Sequence, residues 1–262
     1  DDSATTPDAG LDAGFDRPSR YETTLVPANS EDASVFLSAP HEVSLLDVDG
    51  NPLVPPVTTT SGPQGQISIE LPATAVSLYV IGVGPADEPS SSADTVVLNT
   101  DWWVKGSLLR ISTRGLEDES ARTSEFTPRA DRAALAGSIF WTQNRMRRGS
   151  VGCAKVYIDG ALAPDEDQAQ RYLGNTPLFL PLSVQPQTTR LGAFYFGNIR
   201  IGLHTIRVSL DDGRNFIGQA KFTVGRPRSG ASSPTKVILY QISIDIEAPS
   251  DPTPATCPFP GQ

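Results

Sequence analysis

The residue types that most often carry chemistry are scarce in this chain and lie far apart. The 262 residues include two histidines, His41 and His204, and two cysteines, Cys153 and Cys257. Nucleophilic catalysis needs a serine or cysteine within hydrogen-bond reach of a base, and the spacing favours no such group. HExxH, CxxC and a phosphate-binding glycine loop do not occur in the sequence. We therefore predict a protein that is not an enzyme, with no catalytic residues and no cofactor.

Acidic residues cluster at two positions that resemble metal sites. Asp47, Asp49 and Asn51 have the spacing that begins a calcium loop. The sixth and twelfth positions of that loop should hold Gly and Glu, but they hold Pro and Thr here. Asp-Gly pairs are typical of tight hairpin turns. We expect turns at this cluster and at Asp211–Gly213, and no metal site.

Two further groups are candidates for binding. Trp102 and Trp103 are adjacent, so in a strand their side chains point to opposite faces. An exposed tryptophan there could stack on a sugar ring or contact a partner, or it could pack between two modules. Arg145, Arg147 and Arg148 form a basic group in an acidic chain. They could bind a carboxylate or another anion, or they could be solvated residues of a hairpin.

The two cysteines could form a disulfide. Cys153 precedes a candidate strand, and Cys257 lies in the proline-rich segment SDPTPATCPFPGQ. A bond between them would close a loop of roughly 100 residues and contribute up to about 4–5 kcal/mol in the chain-entropy model. The alternative is two free thiols. An exported protein favours the disulfide, because oxidising compartments preserve it.

Composition excludes some classes of function. The net charge of −9 argues against a nucleic-acid partner. No run of 18 apolar residues is present that would predict a membrane-spanning helix. Residues 1–20 are acidic and poor in apolar groups, and we expect a flexible leader. Such leaders resemble the tethers of bacterial surface lipoproteins, which would place a lipidated residue and a membrane anchor upstream of Asp1.

Alternating apolar and polar residues run through most of the remaining chain. The 22 glycines and 23 prolines of the chain leave little room for long helices. The pattern predicts an all-β protein of two tandem antiparallel β-sandwiches, Ig-like or transthyretin-like, with about seven strands each. The expected divisions are a leader at 1–20, a first sandwich at 21–128, a second at 129–248 and a tail at 249–262.

Several local expectations accompany this division. The longest strand should be the last, Lys236–Ile246, whose isoleucines alternate with polar residues. Ala33–Ser38 is a candidate first strand, QNRMRRGS is expected to form a turn, and Asp159–Thr176 is expected to be a long loop.

Both halves carry a strand, an Asp-Gly turn and a strand that starts at glycine. VSLLDVDGNPL, GQISIELP and LYVIGV in the first half, with AKVYIDG and GAFYFGNIRIGLHTIRV in the second, resemble carboxypeptidase regulatory-like domains, the transthyretin-like sandwiches of exported bacterial proteins. The resemblance covers a little over half of the chain. It implies a structural or binding role without catalysis.

These observations together predict an exported or cell-surface protein that binds or scaffolds a protein or a cell-envelope component. Outer-membrane or cell-surface lipoprotein and periplasmic protein are the expected locations. The alternative functions are a carbohydrate-binding module that uses the Trp102/Trp103 region, with a glycan as partner, and an accessory domain of a secretion or surface assembly.

Overall fold

Strands make up the regular secondary structure of the residues that the structure describes. The computed structural model describes residues 18–27, 40–83, 94–98, 108–111, 127, 129, 131–143, 146–160, 169–173, 179–181, 185–211, 213–225 and 237–248. The strands in these ranges are β1 Arg20–Pro27, β2 Glu42–Leu46, β3 Thr58–Thr60, β4 Gln66–Glu70, β5 Ser77–Val80, β6 Thr95–Leu98, β7 Leu108–Ile111, β8 Ala133–Gln143, β9 Met146–Ser150, β10 Lys155–Ile158, β11 Ala169–Leu173, β12 Phe179–Pro181, β13 Ala193–Ile199, β14 Gly202–Ser209, β15 Phe216–Val224 and β16 Ile238–Glu247. The described residues contain no helix, so the all-β prediction is confirmed.

The period-2 pattern of the sequence decides which side of each strand is buried. In β4, Ile67 and Ile69 are buried while Gln66, Ser68 and Glu70 are exposed. In strand β16, buried residues alternate with more exposed ones from Tyr240 to Glu247. Burial of one apolar face is what stabilises such strands in water.

One sheet runs through both halves of the chain. Its strand order is β12-β11-β13-β8-β16-β6-β5-β2-β3, and β9 also pairs with β8. The last strand, β16, lies parallel to β8 over ten residue pairs and parallel to β6 over four. The C-terminal strand therefore joins the first half of the chain to the second by main-chain hydrogen bonds on both of its edges.

Two three-stranded sheets cover this large sheet. The order β4-β1-β7 belongs to the first half and the order β10-β14-β15 to the second. Each encloses a core, and the central strands contribute to both cores. Leu78 and Val80 of β5 lie in the first core, while Tyr79 between them lies in the second.

The limits predicted for the sandwiches stay a prediction, because most of residues 112–130 lie outside the described ranges. The predicted number of about seven strands in each sandwich also stays a prediction. Candidate strand Ala33–Ser38 also lies outside the described residues.

Three local predictions were wrong, and strand β1 was not predicted. Strand β1 begins where the leader was expected to end, and its Tyr21 and Leu25 supply an apolar face to the first core. The longest described strand is β8, with eleven residues, and not β16, with ten. The QNRMRRGS segment contains β9, which pairs with β8 despite its charge because Arg147 and Arg148 remain exposed to solvent. The loop expected at Asp159–Thr176 contains β11, which is paired on both edges, with β12 and β13.

Among the described residues, no helix is long and apolar enough to cross a membrane.

Candidate binding surface

The arginines of the basic group have different surroundings. Arg147 makes a two-point ion pair with Asp245, with Nε 2.7 Å from Oδ1 and Nη2 3.1 Å from Oδ2. Its guanidinium also lies 4.0 Å from the ring centroid of Phe140. Arg148 is exposed on β9, and Arg145 lies outside the described residues. The charge of Arg147 is thus already matched by a carboxylate, which makes it a poor site for an external anion.

The other candidates from the sequence fall partly outside the described ranges. Trp102, Trp103 and Cys257 all lie outside them. Cys153 lies just before β10, in a left-handed backbone conformation with φ 60°, and its N–H donates to the Thr188 carbonyl at 2.8 Å. The tryptophan platform and the disulfide remain predictions.

Neither histidine is placed as a catalytic base in the described structure. His41 is buried. His204 is buried as well, with Nδ1 2.6 Å from Asp159 Oδ2 and Nε2 2.7 Å from the Arg200 carbonyl oxygen. Its ring packs on Phe222 with the centroids 5.5 Å apart. Both nitrogens are occupied, so His204 fixes the end of β14.

The acidic clusters form turns. Asp47 Oδ1 accepts the N–H groups of Asp49 and Asn51, both at 2.9 Å. Asp211 accepts the Asn215 N–H at 2.8 Å and the Ser209 hydroxyl at 2.8 Å. The backbone bond from Asn215 is the main reason that the pKa of Asp211 lies below its usual value. Within the described residues, no group of acidic, histidine or cysteine side chains could hold a metal ion.

The outer surface of the β10-β14-β15 sheet is a site that the sequence did not suggest. We call it the cationic sheet face. Val156 and Val208 point to the core, so the alternate side chains of their strands point outward. The outward side chains are Lys155 and Tyr157 of β10, Leu203, Thr205 and Arg207 of β14, and Phe216, Gln219, Lys221 and Thr223 of β15.

The charge of this face is one-sided. Strands β10, β14 and β15 contain Lys155, Arg207 and Lys221 but no aspartate or glutamate. The chain as a whole has 30 acidic and 21 basic residues, so a purely basic sheet is unexpected. Of the acidic side chains that the structure describes in its turns, Asp159 pairs with His204 and Asp211 organises the turn before β15, while Asp212 lies outside the described residues.

An aromatic pair lies beside the charges. The rings of Tyr157 and Phe216 meet edge to face, with centroids 5.6 Å apart. Arg207 lies over Phe216 at 5.3 Å from the ring centroid. Tyr157 is on β10 and Phe216 on β15, so their rings meet above the middle strand β14. Phe216 keeps 42% of its surface exposed.

This arrangement suits the binding of an anion. Positive side chains held on a rigid sheet beside exposed aromatic surface can contact a negative group and apolar atoms at once. The sequence signal was the lack of acidic residues in three strands. It could not be used without the register, because Lys155 and Lys221 are separated by 65 intervening residues and meet only through β14.

Comparison with known proteins gives no family. No protein-family model matches the chain, and no curated protein matches it. Similar solved structures include the minor pilin GBS52 of Streptococcus agalactiae, at 12% identity and a TM-score of 0.24, over 89% of this chain and 99% of that one. The shaft pilin SpaA of Lactobacillus rhamnosus GG aligns over the same shares at 9% identity and a TM-score of 0.22.

The Bacillus anthracis TIE protein is also similar, at 10% identity and a TM-score of 0.24 over 87% of this chain. The chain spans about a third of that protein's length, 34%. These TM-scores are too low to carry a functional argument, so the function proposed for the chain rests on its own residues.

Proposed function

We propose that the chain is a non-enzymatic, exported or cell-surface protein that works as a binding or scaffolding module, and that the cationic sheet face holds an anionic partner. The observation that carries the proposal is the one-sided charge of β10, β14 and β15 in a chain of net charge −9. The carboxypeptidase regulatory-like resemblance and the expected disulfide agree with an exported module of this kind.

Electrostatics explains how an acidic protein can bind an anion. At physiological salt the Debye length is about 8 Å, so the distant acidic residues are largely screened. Ionic contacts between the cationic sheet face and a bound anion are shorter than the Debye length, so they are screened much less. Arg207 makes none of the ion pairs formed among the described residues and is exposed, so its guanidinium faces solvent above Phe216.

Binding of poly-L-glutamate to the intact chain tests the proposal. We expect binding at about 0.15 M salt that weakens as salt is raised, because the contacts are ionic. Arg207→Gln should weaken it by about three- to tenfold. Arg148→Gln is the matched control, since it removes the same charge from an exposed site on β9. Absence of binding, or an equal loss in both variants, would contradict the proposal.

A further inference from the structure

The three cations of the cationic sheet face lie on one diagonal. The register places Lys155 opposite Ser209, Arg207 opposite both Tyr157 and Gln219, and Lys221 opposite Thr205. Each step from Lys155 to Arg207 to Lys221 therefore moves one strand across and two residues along. The direction of the step is the same both times, so the three positions form a straight row.

Sheet geometry gives the spacing of this row. Diagonal neighbours on one face of an antiparallel pair lie about 7–8 Å apart, so Lys155 and Lys221 are separated by roughly 15 Å. An extended polypeptide rises about 3.4 Å per residue, and its alternate side chains on one side are therefore about 7 Å apart. The diagonal spacing of the cations and the side-chain spacing of an extended peptide are therefore nearly equal. Lysine and arginine side chains are flexible enough to make up the remaining difference.

We propose that this diagonal recognises an extended acidic peptide segment of a protein partner, with carboxylates at alternate positions i, i+2 and i+4. The inference rests on the proposed function and names its ligand. Each carboxylate contacts one cation of the row. Where the segment crosses β14, it passes the Tyr157–Phe216 pair, which supplies apolar contact between the charged positions.

The row also limits which anions fit. Three consecutive acidic residues in an extended peptide point to alternating sides, so only two of them can face the sheet at once. A peptide of the same composition with its acids in one block should therefore bind more weakly. The charge is equal in the two peptides, so a difference in affinity reports the spacing alone.

The experiment measures fluorescence anisotropy of the full chain with two labelled nine-residue peptides of Asp and Ser. One carries three Asp at alternate positions and the other carries them consecutively, and dextran sulfate serves as a competing glycan-like polyanion. We expect the alternating peptide to bind about fivefold more tightly than the block peptide. Arg207→Gln should remove most of that preference, and Arg148→Gln should leave it unchanged.

A variant that moves one charge gives the sharper control. Gln219→Lys combined with Lys221→Gln keeps the net charge and the exposed face but breaks the diagonal, since position 219 lies opposite Arg207. We expect this variant to bind poly-L-glutamate like the wild type and to lose the preference for alternating acids. The sites are exposed, and the circular dichroism spectrum and melting temperature of each variant check that it folds.

Each outcome decides one of the two proposals. Equal affinity for the two peptides, or tighter binding of dextran sulfate than of either, would overturn the acidic-peptide inference and leave an anion-binding face. If neither peptide, poly-L-glutamate nor dextran sulfate binds, the proposed function itself fails.

Discussion

Gly50 and Gly225 lie in backbone contact, so that a Cβ added to Gly225 would come within 2.7 Å of the Gly50 carbonyl oxygen. Gly50 belongs to the turn after β2, in the first half of the chain, and Gly225 follows β15 in the second half. Tyr240 of β16 also holds Gly225, because its hydroxyl accepts from the N–H and donates to the carbonyl of Gly225, both at 3.0 Å. The contact therefore joins the two halves at a point outside their shared sheet.

Substitution of Gly225 by alanine should destabilise the protein. The atoms that the new methyl group meets are backbone atoms of Asp49 and Gly50, which cannot move without shifting the turn. Overpacking of this kind costs about 1–3 kcal/mol, measured as the change in the free energy of unfolding in urea. Gly149→Ala is the control, because a Cβ there meets no atom within 4 Å. Similar losses in the two variants would show that the backbone contact contributes nothing.

The shared sheet predicts that both halves unfold together. Strand β16 is hydrogen-bonded to β6 and to β8, and β5 places side chains in both cores. Ile69→Ala, which empties part of the first core, should cost about 2–5 kcal/mol. Hydrogen exchange followed by mass spectrometry should then show faster exchange in peptides from β13 and β14 as well as from β4. Exchange that rises only in the first half would indicate two independent units.

The sequence pattern predicted which residues are buried far better than which strands are neighbours. The alternation predicted for Lys236–Ile246 covers nearly all of β16, Ile238–Glu247. Alternation decides which face of a strand meets the core, but it carries no information on the strand beside it. The parallel pairing of β16 with β8 joins segments about a hundred residues apart and could not be predicted.

The cationic sheet face was missed for the same reason. Lys155, Arg207 and Lys221 lie on separate strands, and each is unremarkable within its own segment. The register of β14 alone brings them into a row. Arg147 was a candidate from the sequence because the charges around it are close along the chain, yet Asp245, which neutralises it, lies 98 positions away. Local clusters of charge are a weak guide where strands pair over long distances.

Two buried tyrosines predict a loss of stability at alkaline pH. Burial is the main cause that raises the pKa of Tyr172 and of Tyr240 above the usual value. The unfolded chain loses these protons near pH 10 while the folded chain keeps them, so the stability is full below pH 10 and falls above it. Each tyrosine contributes a slope of about 1.4 kcal/mol per pH unit.

Tyr240→Phe separates this effect from the hydrogen bonds. At pH 7 the variant should lose about 1 kcal/mol, because the two bonds to Gly225 are absent. Between pH 10 and 11 its stability should fall less steeply than that of the wild type, by the slope of one tyrosine. Urea unfolding at a series of pH values measures both quantities, and parallel curves above pH 10 would refute the assignment to Tyr240.

The predicted Cys153–Cys257 disulfide is tested by mass spectrometry of the non-reduced chain. We expect a mass two hydrogens below that of the dithiol and a cross-linked peptide that contains both cysteines. The double variant Cys153→Ser/Cys257→Ser should lose up to about 4–5 kcal/mol, because it frees a loop of roughly 100 residues in the unfolded state. Reductant should destabilise the wild type and leave the double variant unchanged. Two free thiols in protein purified from an oxidising compartment would rule the bond out.

His204 should be a structural residue whose loss damages the end of β14. Both ring nitrogens make hydrogen bonds, Nδ1 with the Asp159 carboxylate and Nε2 with the Arg200 carbonyl oxygen. Asp159 has φ 51° and also accepts the Thr205 N–H at 2.9 Å, and the same histidine therefore holds the turn after β10 in its left-handed conformation.

Replacement of His204 by leucine removes both ring nitrogens and the hydrogen bonds that they make with Asp159 and Arg200. We expect a loss of about 1–3 kcal/mol in the free energy of unfolding. Leu203→Ala on the same strand is the control, since Leu203 is 69% exposed and its change should stay within about 0.5 kcal/mol. The folded His204 variant should bind poly-L-glutamate as tightly as the wild type. Its strands β10 and β15 keep their pairing with β14, so the positions of Lys155, Arg207 and Lys221 do not change. A fall in binding without a fall in stability would instead make His204 part of the anion site.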